Sequence, residues 1–327
     1  MSSSGIPVVV MGLGDIGQAI ARGALARPEL HVIGAVDPSP ELAGRPLSDV
    51  LGVPAPGLVV AAGASELLPG ARGGVVLHAT GSHFQDVLAQ LQEAVRGGLS
   101  VVSTCEELAW PWLRNEEEAE ALDKLCEERN VSVLGTGVNP GFVLDRLPAF
   151  LGQVAGTVRH VRGLRVVDAS GRRAALQRKI GAGLAEEDFH QAAERGEVGH
   201  VGLAESAALV AAGLGLPLDE VDEELVPLVA QEDEPAGGVR RGQVAGVQQT
   251  ARVFAAERET VRLELILAVG AEDPRDEVEL DSDPPLRLVV PGGIPGEPAT
   301  VAAVLNAVAP ATELRGLVTV LDLPAGR

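Results

Sequence analysis

"GIPVVVMGLGDIGQAIARGALAR", residues 5–27, decides the fold. A short apolar run, IPVVVM, enters a glycine turn, and apolar residues then return at helical spacing as Ile16, Ile20, Ala21 and Leu25. Between strand and helix, Gly12-Leu13-Gly14-Asp15-Ile16-Gly17 reads G-x-G-x-x-G. In that setting each glycine has a reason: a tight turn, a close approach of backbone to a pyrophosphate, and close packing of the helix over its phosphate-binding end. The next strand-like run, LHVIGAVD, ends on Asp37, 20 residues after Gly17. A carboxylate at that place accepts hydrogen bonds from both hydroxyls of an adenosine ribose and repels a 2′-phosphate. The pattern predicts a dinucleotide site built from Gly12, Gly14, Asp15, Ile16, Gly17 and Asp37. It favours NAD, with NADP as the other possibility because Arg45 follows a few residues on.

Outward from this unit the strand, turn and helix pattern repeats. GGVVLHATGS leads into FQDVLAQLQEAVRGG, LSVVSTCEE is a further strand, EEEAEALDKLCEERN is a charged amphipathic helix, and VSVLGTG closes the half. Strands alternating with helices of this length imply a parallel sheet. After about residue 136 the pattern changes: TVRHVRGLRVVDAS and ETVRLELILAVGA alternate apolar and polar residues as half-buried antiparallel strands do. EEDFHQAAERG and HVGLAESAALVAAGLG between them read as helices, whereas QEDEPAGG and AEDPRDEVELDSDPP read as exposed connections. The fold expected is α/β: a doubly wound Rossmann domain over 1–136, with 300–327 packing back on it, and an α+β domain with a largely antiparallel sheet over 137–299.

Composition narrows the partners. A chain of 327 residues, 46% of them hydrophobic, buries a full core. A formal charge of −20 repels nucleic acid and anionic membrane surfaces. No segment reaches the roughly 18 apolar residues of a membrane span, and the first residues lack the marks of a signal peptide. Cys105 and Cys126 match neither a zinc spacing nor a disulfide framework, which points to a reducing, cytoplasmic setting and to no metal. The chain has no Tyr, so one common acid/base residue is absent.

Thr80, Gly81 and Ser82 follow the strand GVVLHA, at the carboxyl end where a doubly wound sheet lines its cofactor crevice. They are candidates to contact the ribose and nicotinamide, with His83 beside them. The following strand ends in Cys105, Glu106 and Glu107, so two carboxylates emerge at the same crevice. Near a ring that becomes positive on oxidation, such a pair can exchange a proton and attract a cation. It repels a keto acid and welcomes an ammonium or iminium. The bland alternative is that one Glu caps a helix starting near 109–111 while the other faces water. Cys105 lines the same crevice; as a nucleophile it would need a base or a positive field, and two adjacent Glu raise its pKa instead.

STCEELAWP, GTGVNPGFVLDRLP, ALQRKIGAGL, GHVGLAESAALVA and GGIPGEPATVAAVLNAVAP, taken together and in this order, resemble the 2,4-diaminopentanoate dehydrogenases and their native amine dehydrogenase relatives. The resemblance spans nearly the whole chain. It implies a Rossmann domain followed by a dihydrodipicolinate-reductase-like second domain, dimeric through that domain's sheet. It also implies NAD(P)-dependent oxidative deamination of an amine, with reductive amination of a ketone or aldehyde by ammonia as the reverse. The key carboxylate of such enzymes maps onto Glu106 or Glu107, and sequence leaves the two undecided. Asn139, followed by the turn-forming Pro140-Gly141, is expected near the nicotinamide and substrate, in a hinge and cleft floor between domains. Phe142, Gln177, Arg178, His200 and Asn306 fall in the same motifs, Asn306 on the cofactor side and Phe142, Arg178 and His200 on the substrate side. Trp110, Trp112 and Phe189 are candidates for an apolar pocket wall, and Arg178 or Lys179 would pair with the carboxylate of a diamino acid. Two other readings stay open: a Cys105-dependent aldehyde dehydrogenase on this scaffold, and a dinucleotide sensor without turnover.

Overall fold

The structure, a computed structural model, describes residues 5–171 and 174–326. The chain divides into two units, one of residues 1–141 and 296–327, the other Phe142–Pro295. The boundaries fall a few residues outside the expected 136 and 300.

In the first unit the elements run β1 (Ile6–Met11), α1 (Asp15–Leu25), β2 (Leu30–Val36), α2 (Leu47–Leu51), β3 (Val60–Ala61), β4 (Val75–His78), α3 (Phe84–Arg96), β5 (Ser100–Ser103), α4 (Glu116–Arg129) and β6 (Ser132–Gly135). Among the described residues the strands, with β13 (Gly316–Val318) of the chain's end, form one parallel sheet ordered β13-β6-β5-β4-β1-β2-β3. Helices on both faces bury the apolar runs: Val8, Val9, Val10, Val75, Leu77, Val101 and Val102 have almost no exposed surface. The near-continuous apolar strands are what a sheet covered on both faces requires.

The second unit contains α5 (Arg146–Gly152), β7 (Val158–Asp168), α6 (Ala174–Lys179), α7 (Glu186–Glu194), α8 (Leu203–Leu214), β8 (Glu220–Val229), β9 (Val244–Ala255), β10 (Arg258–Ala268), β11 (Arg275–Ser282) and β12 (Leu286–Pro291). Its sheet is ordered β12-β11-β7-β10-β9-β8, antiparallel except for the parallel pair β7 and β10. α5 and α8 lie against it, over the buried Val161, Leu263, Leu265, Val278 and Leu280. Alternate positions carry charges paired across strands: Arg162 with Glu264 at 2.9 Å, Arg252 with Glu224 at 2.9 Å and Arg287 with Glu279 at 2.9 Å.

One expectation is corrected here. AEDPRDEVELDSDPP is not only a connection, because Arg275–Ser282 within it is β11. Val278 and Leu280 alternate into the core, and the buried Asp276 is tolerated because Arg165 binds both of its oxygens, at 2.7 and 2.8 Å.

The chain ends with α9 (Gly296–Asn306), α10 (Val308–Glu313) and β13 (Gly316–Val318), all in the first unit. Among the described residues no helix is long and apolar enough to cross a membrane.

Candidate active site

The sheet order of the first unit reverses between β1 and β4, the place where open α/β sheets take their ligands at the carboxyl ends of the strands. Gly12 has φ +89°, and a Cβ there would stand 2.4 Å from the Ala79 carbonyl oxygen. A Cβ on Gly17 would stand 1.9 Å from the Gly12 carbonyl oxygen. Nothing lies within 4 Å of the Cβ position of Gly14, so the N-cap of α1 faces open space without a side-chain cap. Leu13 N–H donates to Asp37 Oδ2 at 2.8 Å and Ser39 N–H to Oδ1 at 2.9 Å, which fastens the carboxylate to the glycine turn. Each carboxylate oxygen keeps a lone pair for a further donor. Asp15 and Ile16 lie in the first turn of α1. Arg45 is exposed. An open, glycine-lined helix N-terminus beside a fixed carboxylate fits the pyrophosphate and ribose of a dinucleotide.

The segments after β4 and β5 are bound tightly to each other. Thr104 N–H donates to the His78 carbonyl at 3.0 Å and Glu107 N–H to the Ser82 carbonyl at 3.2 Å. Cys105 Sγ also donates to the Ser82 carbonyl, at 3.2 Å. Glu107 completes the connection: its Oε2 accepts from Phe84 N–H at 2.7 Å, and its Oε1 lies 2.8 Å from His83 Nδ1. The Glu107 carboxylate therefore serves as the N-terminal cap of α3, placed by a residue outside that helix. No helix starts at 109–111; two short 3₁₀ turns, Glu107–Ala109 and Pro111–Leu113, stand there instead.

Glu106 is different. It is half-buried, and among the described residues its carboxylate has no hydrogen-bond or ion-pair partner. The two carboxylates that the sequence left equivalent are thus one structural cap and one group available to a ligand.

Cys105 is buried at 2% exposure, and desolvation, with the charges of Glu106 and Glu107, pushes its pKa up to about 12. Its side chain packs into the core cluster with Leu108 and Val101. It is therefore a neutral hydrogen-bond donor and not a nucleophile.

The loop after β6 is compact. The Asn139–Pro140 peptide is cis, and Gly141, at φ +124°, is so close to Gly137 that a Cβ would lie 2.2 Å from its nitrogen. Thr300 Oγ1 of α9 accepts from Val138 N–H at 3.1 Å. Asn139 and Pro140 belong to the first unit and Phe142, 36% exposed, to the second.

Asn306 is not brought to the glycine turn. Its Oδ1 accepts from Arg27 Nη2 at 2.7 Å, beyond the C-terminal end of α1. The 11 residues of α1 at ~1.5 Å each place about 16 Å between the two ends of that helix.

In the second unit the main chain joins Lys179 to the loop at His200, since Gly199 N–H donates to the Lys179 carbonyl at 2.8 Å. Gln249 then holds His200 from both sides, accepting from its N–H at 2.8 Å and donating to its carbonyl at 2.7 Å. Arg178 and Lys179 are exposed on α6, and Gln177 Nε2 donates to the Ala169 carbonyl at 3.1 Å. Phe189 is fully buried against Gly181 and is core rather than pocket wall. Trp112 packs on the core of the first unit, with Trp110 5.1 Å away, ring centre to ring centre.

Sequence reading passed over His78, Gln90 and Ser103, which form a hydrogen-bonded chain beneath Thr80 and Cys105. The available signal was a His ending a strand otherwise made of Val and Leu, beside a strand, SVVS, that ends on Ser.

Residues 142–327 match the 2,4-diaminopentanoate dehydrogenase C-terminal domain family. Over 98% of its length the chain is 27% identical to a protein named 2,4-diaminopentanoate dehydrogenase from Acetoanaerobium sticklandii, of which it covers 94%. Its fold is that of an amine dehydrogenase from Mycobacterium smegmatis, with a TM-score of 0.85 at 24% identity, covering 99% of this chain and 98% of that one. A more distant likeness, TM-score 0.54 at 13% identity, links it to a dihydrodipicolinate reductase from Paenisporosarcina sp. TG-14, covering 97% and 98% of the two chains.

Proposed function

Since the chain belongs to the family defined by the 2,4-diaminopentanoate dehydrogenase C-terminal domain, we propose that it is an NAD(P)-dependent amine dehydrogenase in which Glu106 is the proton-transferring carboxylate. The observation that carries this assignment is the difference between the two neighbours: Glu107 is consumed by Phe84 and His83, and Glu106 is not. The bound nicotinamide dinucleotide supplies the chemistry of taking up or delivering a hydride. Gly12, Gly14 and Gly17 with the amino end of α1 would hold its pyrophosphate, and Asp37 its adenosine ribose, which favours NAD.

In deamination Glu106 takes a proton from the substrate ammonium, freeing the nitrogen lone pair that drives hydride from the adjacent carbon. Its regenerated negative charge, once that proton passes to water, stabilises the iminium left behind. Water adds to the iminium carbon, Glu106 shuttles one proton from the added oxygen to nitrogen, and as ammonia leaves the carboxylate takes the second oxygen proton, so that a neutral carbonyl remains. Reductive amination runs through the same states in reverse. The substrate class is a small amine or a diamino acid; Arg178 and Lys179 are the candidates to pair with a carboxylate.

Cys105 does not support an aldehyde dehydrogenase reading, because a buried thiol raised to about 12 stays protonated at neutral pH.

The protein also fits a cytoplasmic homodimer, in keeping with two free cysteines and with the charged sheet face opposite α5 and α8, where Val226 and Val289 are exposed at 42% and 37%.

The test follows NADH with a panel of amines, and with ketones or aldehydes with and without ammonia. Glu106→Gln is expected to lower kcat by about 10²–10⁴ with folding intact. Glu107→Gln is expected to lower stability by about 1 kcal/mol, the loss of a cap, while retaining most turnover. Ammonia-independent NADH oxidation, or the opposite ranking of the two variants, would overturn the assignment.

A further inference from the structure

His78 is 1% exposed, at the end of β4. Its ring touches uncharged groups on both sides: Nδ1 lies 2.8 Å from Ser103 Oγ, and Nε2 lies 3.0 Å from Gln90 Oε1 and 2.8 Å from Thr80 Oγ1. Gln90 Oε1 can only accept, so the proton sits on Nε2; otherwise two lone pairs would face each other at 3.0 Å. Nδ1 is then an acceptor and takes the Ser103 hydroxyl proton. Ser103 Oγ in turn accepts from Cys105 N–H at 3.0 Å. Thr80 Oγ1 accepts from Nε2 and gives its own proton to Gln90 Oε1 at 2.7 Å. Every hydrogen in the chain has one direction, from Cys105 N–H through Ser103 to His78 and from His78 to Thr80 and Gln90.

We infer that His78, fixed as the Nε2–H tautomer, is a positioning residue that sets the Thr80 hydroxyl and the Cys105–Glu106 turn at the dinucleotide crevice. This rests on the amine dehydrogenase reading for its catalytic consequence. The network does not end in the core: Thr80 is exposed at the carboxyl end of β4, and Glu106 follows the Cys105 amide directly. One buried ring thereby fixes the two strand ends between which a nicotinamide and a substrate nitrogen would lie. Burial lowers the ring's pKa from 6.5 to about 4, so it remains neutral and keeps one tautomer at neutral pH.

The tautomer is read by long-range ¹H–¹⁵N NMR of the histidine rings in the free protein at pH 7. A proton on Nε2 alone is expected for His78; a proton on Nδ1, or on both nitrogens, overturns the inference. Dinucleotide affinity is read by NADH fluorescence titration. Thr80→Val and His78→Phe are each expected to weaken NADH binding about tenfold, the size of one lost hydrogen bond. The double variant is expected to be no weaker than His78→Phe, because the two act as one unit. His78→Gln, which keeps a donor and an acceptor, is expected to restore affinity to within about threefold. In turnover, His78→Phe should lower kcat about 10- to 100-fold with the amine KM nearly unchanged.

If His78→Phe folds and binds NADH as the wild type does, the ring is only packing and the inference fails. If it does not fold, unaltered NADH affinity in both Thr80→Val and Ser103→Ala overturns it equally. An enzyme that binds NADH but turns over no amine removes the amine reading alone, and the NMR and NADH results still decide the role of His78.

Discussion

Glu106 and Glu107 have the same side chain and adjacent positions, and what separates them is the amide of a residue 23 positions earlier, Phe84. No local pattern announces such a pairing, which explains why STCEELAWP shows that a carboxylate is present but not which one is available. His78 poses the same problem in another form. A histidine closing an apolar strand suggests burial, whereas its tautomer depends on Ser103 and Gln90, which come from other elements. Its burial makes a testable contribution to stability. The unfolded chain takes up a proton as pH falls through 6.5, and the folded chain does so only near 4. The stability this residue contributes is therefore complete above pH 6.5 and is lost on acidification, by about 2 kcal/mol at pH 5 and about 3 kcal/mol at pH 4. Urea unfolding at pH 7 and pH 5 should show that loss in the wild type and not in His78→Gln.

Among the elements, β1 and α1 were legible because their signals are short-range: a strand, a glycine turn and a helix within residues 5–27. The same holds for Asp37, whose distance from Gly17 is set by one helix and one strand. β11 was not legible, since its Asp and Glu residues look like solvent-exposed loop until Arg165 and Arg287 are placed against them. Arg165 is 5% exposed and Asp276 1%, and the pair also holds the main chain of Ile294, whose N–H donates to Asp276 Oδ2 at 2.6 Å and whose carbonyl accepts from Arg165 Nη2 at 2.7 Å. Arg165→Met, which leaves a buried carboxylate with less compensation, is expected to cost about 3–5 kcal/mol in urea unfolding. Arg165→Met with Asp276→Leu should recover all but the ~1–3 kcal/mol that Ile294 loses in unpaired backbone groups. A double variant as unstable as the single would mean that the damage lies in packing and not in charge.

At the scale of the whole molecule, the change from βαβ units to alternating strands near residue 136 announced two units. It did not give the strand order or the parallel pairing of β7 with β10, which are set by contacts 102 residues apart, as between Arg162 and Glu264. The second unit's sheet leaves one face without α5 or α8, and Ile266 lies there in register with Val166 and Gln248. If this face joins two copies, sedimentation should give twice the chain mass of 33.6 kDa, and Ile266→Asp should give single chains of intact fold. Persistence of the dimer in that variant would move the interface elsewhere.

Asp37 has a consequence for how this lineage could change its cofactor. The carboxylate that would discriminate against a 2′-phosphate also holds the Leu13 amide, so specificity and the shape of the glycine turn are written into one side chain. A drift toward NADP through Ala or Ser at this position would surrender the fastening of the turn along with the charge. Asn sheds the charge and keeps an oxygen for Leu13 but turns its NH2 toward the Ser39 N–H, so each of these replacements costs the turn at least one of its two anchors.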